Sequence, residues 1–317
     1  YSHKLSSLRD NRSMSISHYI KDIGRGRDGA RALNREQAAD LMGQVLDGTV
    51  TDLELGAFCI AMRIKGETPE EMAGFLDATH ARLNRLATNA SHRVVVLPSY
   101  NGARKLPVLT PLLAHLLARE GFTVVVHGTA TETTRVTSQE VLAAMGVKTL
   151  THPQTQTVQQ GELALIPTEV LCPGLKRLLD VRRTIGLRNP AHSLVKLMNP
   201  TTASDALLVS SYTHPEYAIS MAATFELTGA RAMLLRGTEG EVVADARRTP
   251  QMDAFVRGTR VPLVEVQTGS LMKLPDLPAE IDAANTARYI QDVLNDKLPI
   301  PEPLKRQVQA VRQALDL

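Results

Sequence analysis

Between residues 94 and 116 the chain reads VVVLPSYNGARKLPVLTPLLAHL, an apolar run, a short polar loop and then a helical pattern. Loops between a buried strand and a helix commonly hold phosphate groups, because backbone N–H groups and the helix N-terminus converge there. They are usually glycine-rich, so that the backbone can come close to the ligand. Here the loop holds one glycine, Gly102, and ends in Arg104 and Lys105. Two fixed side-chain cations stand where a backbone cradle is expected, and such cations suit the backbone of a polyanion. More cations cluster at 175–196, where Lys176, Arg177, Arg182, Arg183, Arg188 and Lys196 face a single acid, Asp180. A second basic stretch, 21–35, sets Lys21, Arg25, Arg27, Arg31 and Arg35 against Asp22 and Asp28. It reads as a solvated face or an extension of a basic rim.

The other residue types that could do chemistry give weaker patterns. His127 follows an apolar run and has no Ser/Asp partner at a telling spacing, so it reads as a structural residue holding its loop. His192 and His214 read as hydrogen-bonded loop or cap residues. Glu239 and Glu241 in RGTEGEVV could catch a cation, with Glu241 the candidate metal ligand. Cys59 and Cys172 are the only cysteines and lie far apart, which excludes a disulfide framework or a cysteine metal motif and reads as two free thiols. Aromatic residues make up 3% of the chain with no Trp, so no platform for stacking single-stranded bases is evident. The net charge of +3 does not by itself call for nucleic acid; the clustering of the cations matters more.

These residues must be held by a scaffold, and 317 residues at 43% apolar and 22% charged are an ordinary soluble composition. No apolar run approaches the roughly 18 residues that a membrane span needs. The opening YSHKLSSLRDNRSMS is polar and without an apolar h-region, so 1–13 read as a loose tail and the protein as cytoplasmic. Residues 14–88 are helical in pattern. Asn34, Thr51 and Thr68 stand as N-caps with Gln37, Glu54 and Glu71 three residues on, and Gly48 and Gly66 mark helix ends. From 92 to 317 the period changes. RVVVLP, FTVVVHG, ELALIP, DALLVS, AMLLRG and PLVEVQ are short apolar runs separated by helical stretches, the pattern of an α/β domain with a mostly parallel sheet flanked by helices. Ligands bind at the carboxyl ends of such strands, so 98–105, 127–138, 210–214 and 237–241 are expected to face one cleft. Residues 172–200 turn helical again and are expected to pack near the N-terminal domain.

Two stretches carry a resemblance over nearly the whole chain. LNREQAADLMGQVLDGTVTDLELGAFCIAMRIKGETPEEMAGF and VRRTIGLRNPAHSLVKLMNP resemble the anthranilate phosphoribosyltransferase family, which is related to the pyrimidine-nucleoside phosphorylases. The resemblance implies a small helical domain followed by an α/β domain, with dimers formed through the helical domains. It also locates the substrate pocket and shows how far this chain departs from it. The family's Gly-Thr-Gly-Gly-Asp diphosphate loop is matched by Pro98, Ser99, Tyr100, Asn101 and Gly102, and its phosphate-binding hydroxyls by Val108, Thr110 and Pro111. Its Lys-His-Gly-Asn-Arg becomes Val126, His127, Gly128, Thr129 and Ala130. A family lysine is matched by Arg135 and a phosphate-contacting serine by Ser138. The magnesium-holding Asp-Glu pair aligns with Glu241 and Val242. The acceptor-gripping arginine is kept as Arg188, while a nearby histidine is Cys172. PSYNGARK, THPEY and GTEGEV look like a paralogous branch whose members bind nucleic acid without marked sequence preference. The implied function is sequence-tolerant nucleic-acid binding, with DNA the expected polymer, by a homodimer that needs no cofactor and has lost anthranilate phosphoribosyltransferase activity. Arg104, Lys105, Arg135, Ser138, Arg182, Arg183, Arg188 and Lys196 are the expected phosphate contacts. The alternative is a pentosyltransferase using phosphoribosyl diphosphate, magnesium and an unknown acceptor.

Overall fold

Four helices open the chain: α1 (Ser17–Ile23), α2 (Arg35–Asp47), α3 (Asp52–Lys65) and α4 (Pro69–His80). The structure is a computed structural model that describes residues 15–317 apart from 27, 90, 92 and 272, so the tail over 1–13 and Arg27 lie outside the described residues. Helices α2, α3 and α4 start where the sequence places their caps. Asn34, Thr51 and Thr68 each accept the backbone N–H three residues on, and Gln37, Glu54 and Glu71 return the bond to the cap. Two otherwise unpaired N–H groups are satisfied at each helix start. Glu71 is fully buried and also accepts the Leu33 N–H at 2.9 Å and the Lys65 ammonium at 2.6 Å. A buried carboxylate is tolerated there because its oxygens have partners.

The larger domain runs β1 (Val94–Ser99), α5 (Thr110–Arg119), β2 (Thr123–Gly128), α6 (Ser138–Ala144), β3 (Leu163–Pro167), α7 (Thr168–Leu171), α8 (Pro173–Ile185) and α9 (Ala191–Leu194). It continues through β4 (Leu207–Tyr212), α10 (Pro215–Thr228), β5 (Ala232–Arg236), β6 (Met252–Val256), β7 (Thr259–Val264), α11 (Ala283–Leu294) and α12 (Glu302–Asp316). The seven strands form one sheet in the order β3-β2-β1-β4-β5-β6-β7. The first five of these are parallel, and β6 and β7 join antiparallel. All six anticipated apolar runs contribute strands. The strand in PLVEVQ ends at Val264, however, and it forms a hairpin with β6, which the sequence pattern does not anticipate. The two turn residues, Arg257 and Gly258, both have positive φ, the reversal that matches strand twist.

One apolar core joins the N-terminal helices to one face of the sheet, with Phe58, Phe75 and Phe225 fully buried in it. A second core on the opposite face is closed by α5, α11 and α12. Helix α8 lies against α2. The Arg177 guanidinium donates to the carbonyls of Val45 and Leu46, which the end of α2 leaves without helical partners. From β1 the chain winds outward to β3 and returns on the other side as β4. The reversal opens a crevice between the carboxyl ends of β1 and β4, the usual ligand position in such a sheet.

Candidate functional site

The crevice is a cleft of about 960 Å³ between the two domains. The loop after β1 gives it Asn101, Arg104 and Lys105; the segment around α9 gives it Arg188, His192 and Lys196. The end of β4 and the start of α10 supply 211–214, Glu216 and Tyr217, and the helical domain supplies Arg63 and Glu67. The four strand-end loops anticipated from the sequence therefore do converge.

The floor of the loop is an anion site in its chemistry. Backbone N–H groups of Asn101 and Gly102 point at one oxygen at 2.9 and 2.8 Å, and the hydroxyls of Ser99 and Thr110 at a second oxygen at 2.6 and 2.9 Å. Both oxygens belong to Glu241. The Ser138 hydroxyl lies 3.4 Å from the second oxygen and 2.8 Å from that of Ser99. Glu241, Ser99, Thr110 and Ser138 are all buried. Four of the positions expected to meet substrate, Ser99, Asn101, Gly102 and Thr110, thus donate to a carboxylate of the chain itself. Ser138, expected among the nucleic-acid contacts, has no exposed surface. Strand pairing sets Ser99 against Gly128, where a Cβ would stand 1.8 Å from the Ser99 carbonyl, so Gly128 serves the close approach of β1 and β2.

A second carboxylate acts on the outer half of the loop. Glu239 accepts the backbone N–H groups of Arg104, Lys105 and Leu106 at 2.9 to 3.3 Å. Its own backbone sits at φ 52, a left-handed conformation uncommon outside glycine. Next to it, Gly240 at φ 89 passes so close to Asn101 that a Cβ would stand 1.8 Å from the amide nitrogen. The turn is pinned from the other side by Lys196, whose ammonium donates to the carbonyls of Gly240 and Ser211 at 3.0 and 3.3 Å. Burial pushes this ammonium down to about 8, against the pull of nearby Glu241. With the loop's N–H groups taken, what Arg104 and Lys105 present to the cleft is their side chains. Both are exposed, and among the described residues no acid lies within ion-pair distance of either.

The arginines opposite are more occupied than their sequence cluster implies. Glu132 receives Arg182 at 2.7 Å, Arg135 at 3.2 Å and Arg188 at 3.9 Å, and Arg135 also lies 3.6 Å from Glu239. Burial and its neighbours Arg182 and Arg135 lower the Arg188 pKa, so it stands in the cleft wall with excess positive charge around it. Arg183 is more exposed, pairs with Asp180 at 3.5 Å and donates to the Ala130 carbonyl. Glu132 is the member of this cluster that sequence reasoning misses. It sits in TATETTRV with no motif around it, and only the fold brings three arginines to it.

The histidines divide. His127 is fully buried with Nδ1 2.8 Å from the Tyr100 hydroxyl, which in turn accepts from Thr168 at 2.9 Å. Burial pushes it down to about 3, which fits the structural role read from its position. Tyr100, at a family glycine position, points into the core and supplies this bond. His192 is also pushed down to about 3 by burial and the nearby arginines, and its buried Nε2 has no hydrogen-bond partner. His214 is the N-cap residue of α10, but its ring makes no capping bond and lies beside Tyr217. Cys59 and Cys172 are buried free thiols, raised by burial away from thiolate chemistry.

The magnesium ion implied by the family does not fit these residues. A Mg²⁺ site needs carboxylate lone pairs that face water or a phosphate. Both oxygens of Glu241 instead face N–H and O–H donors, and Glu239 is turned onto three backbone N–H groups. Among the described residues no group of three or more His, Cys, Asp or Glu side chains could hold a metal.

A helical domain joined to a five-strand parallel core, with a cleft at its switch point, defines the phosphoribosyltransferase-like class. Residues 17–82 match the helical bundle domain of the glycosyl transferase family. The chain is 43% identical over 299 residues to the uncharacterized protein YbiB of Escherichia coli (strain K12), covering 93% of this chain and 92% of that one. It is 31% identical over 188 residues to the anthranilate phosphoribosyltransferase of Methanosarcina barkeri, covering 58% of this chain but only 50% of that enzyme. The solved anthranilate phosphoribosyltransferase of Thermus thermophilus superposes with a TM-score of 0.70 over 94% of this chain and 93% of that one, at 21% identity. This chain belongs to the anthranilate phosphoribosyltransferase-like family. No helix among the described residues is long and apolar enough to cross a membrane.

Proposed function

We propose that the protein binds nucleic acid, with DNA as the physiological polymer, through side-chain cations at the rim of the inter-domain cleft, and that it does not act as an anthranilate phosphoribosyltransferase. The observation that carries this reading is the division of labour in the loop after β1. Its backbone N–H groups hold Glu241 and Glu239, while the Arg104 and Lys105 side chains are exposed and unpaired. A small diphosphate is bound by backbone donors around an enclosed anion. Exposed arginine and lysine side chains bind successive phosphates of a chain and read no base edge. Arg63 and half-exposed Arg188 extend the same basic lining, and Arg183 stands outside it on α8. Arg135 and Arg182 contribute to the field from positions paired with Glu132, and Lys196 from hydrogen bonds to two carbonyls.

The active unit is a homodimer formed through the helical domain. Leu53, Ile60 and Ile64 on α3 are exposed at spacings that place them along one helix face, an apolar stripe that a second copy would cover. Two chains so joined bring two basic clefts to one assembly, which multiplies the phosphate contacts without new chemistry.

The test is fluorescence anisotropy with single- and double-stranded DNA and RNA of several sequences at two salt concentrations, beside calorimetry with phosphoribosyl diphosphate and Mg²⁺. Sequence-independent, salt-steep binding without a metal-dependent sugar-phosphate signal is expected. Metal-dependent binding of phosphoribosyl diphosphate together with salt-insensitive nucleic-acid binding would overturn the proposal in favour of a transferase.

A further inference from the structure

We infer that Glu241 is an internal stand-in for a bound phosphate: the cradle after β1 is a complete oxyanion site, held closed by the chain's own carboxylate. Four observations meet here. The donors are those an external oxyanion would need, two adjacent N–H groups and the hydroxyls of Ser99, Thr110 and Ser138, drawn from β1, α5 and α6. They converge on two oxygens of one group that reaches them across the switch point from the loop after β5. The three hydroxyl donors and the carboxylate they hold are buried, and only Asn101 reaches the cleft, so the occupied cradle leaves no room for an external anion. The turn that delivers the carboxylate is built for the purpose. It needs Gly240 at positive φ against Asn101, a left-handed Glu239, the Asn101 amide donating to the Glu239 carbonyl at 3.1 Å, and the Lys196 ammonium on the Gly240 carbonyl.

The physical consequence is exclusion. A carboxylate tethered to its donors competes at an effective concentration on the order of millimolar or higher, and it needs no desolvation on each encounter. Free phosphate, diphosphate and phosphorylated sugars are therefore kept out of a site whose donors would otherwise take them. The same bonds fix the loop that carries Arg104 and Lys105, so the plug also orders the cationic rim. Glu241 is in this sense a specificity-determining residue: it rejects small phosphate compounds and leaves the cleft to ligands that bind by side chains alone. Exclusion at the cradle holds whatever those outer side chains bind.

The decisive variant is Glu241→Ala in the full chain, titrated with sodium diphosphate and inorganic phosphate without Mg²⁺ by calorimetry and by thermal melting. The wild type is expected to show no saturable response. The variant should melt lower, and either anion should raise its melting temperature saturably, with affinity at least about tenfold above any wild-type response, since several charge-assisted hydrogen bonds become available. Acetate should restore part of the lost stability by refilling the cradle. A folded variant with no oxyanion binding would overturn the inference. A second measurement on the wild type guards against failure of the variant to fold. The Asn101 and Gly102 amide resonances should not move on addition of diphosphate; a saturable shift of both would show an open cradle and overturn the proposal. Nucleic-acid binding measured on the same samples reports separately on the rim.

Discussion

Reversing the charge of Arg104 and Lys105 together, Arg104→Glu and Lys105→Glu, is the sharpest perturbation of the proposed interface. Both side chains are exposed and unpaired, and neither packs in the core, so the fold is expected to survive. Four cations line the cleft with side chains free of a close partner: Arg63, Arg104, Lys105 and Arg188, the last 3.9 Å from Glu132, while the Lys196 ammonium is committed to two carbonyls. If each neutralises one phosphate, log K against log salt has a slope of about −3.6 per chain on duplex DNA and about −2.8 on a single strand. From about 50 to 200 mM salt the wild type then loses about 150-fold in duplex affinity. The double variant, left with two contacts, has a slope of about −1.8 and loses about 12-fold over the same range. The assay is anisotropy at four salt concentrations on oligonucleotides of equal length and different sequence. The loss should be uniform across sequences, because phosphate contacts carry no base information. An unchanged slope in the double variant, or a loss confined to one sequence, would refute the assignment of these residues to the phosphate backbone.

Replacing Glu132 by Gln leaves Arg135, Arg182 and Arg188 without their shared acid, and should lower unfolding free energy by about 1–2 kcal/mol in urea while tightening nucleic-acid binding and steepening its salt slope; weaker binding would mean that the trio acts only through Glu132. Stability should fall in mild acid. His127 and His192 titrate near 3 and His80 near 4 in the folded chain, against about 6.5 unfolded, so the unfolded state binds more protons between these values. Stability from these groups is complete above about pH 6.5 and is lost as pH falls toward 3, at up to roughly 4 kcal/mol per pH unit near pH 5; urea midpoints that stay flat from about pH 6.5 to 4.5 would contradict their burial as neutral rings. Ile60→Lys with Ile64→Lys places two charges on the exposed stripe of α3, and sedimentation should report a shift from dimer to monomer with little change in melting temperature; an unshifted dimer would move the interface elsewhere.

The sequence alone was enough to place the helical domain, six of the seven strands and the cleft at the carboxyl ends of the parallel ones. These rest on signals within a dozen residues: the capping boxes at Asn34, Thr51 and Thr68, the switch to short valine-rich runs, and the turn residues between them. The exposed cations of the loop after β1 were legible for the same reason, because Arg104 and Lys105 stand side by side in a loop whose place follows from the strand and helix patterns that flank it. What the local pattern could not show is which charges cancel. Glu241 lies 139 positions from Gly102 in the chain, and Glu132 lies 50 from Arg182, so their pairings exist only once the sheet is wound. Glu241 read as a remnant metal ligand because a carboxylate looks the same to a cation and to a ring of N–H donors. Tyr100 stands at a family glycine position in the loop, and only the fold shows that it turns inward to His127. Local propensity is decided by neighbours in sequence, whereas electrostatics is decided by neighbours in space, and the function of this cleft depends on the second.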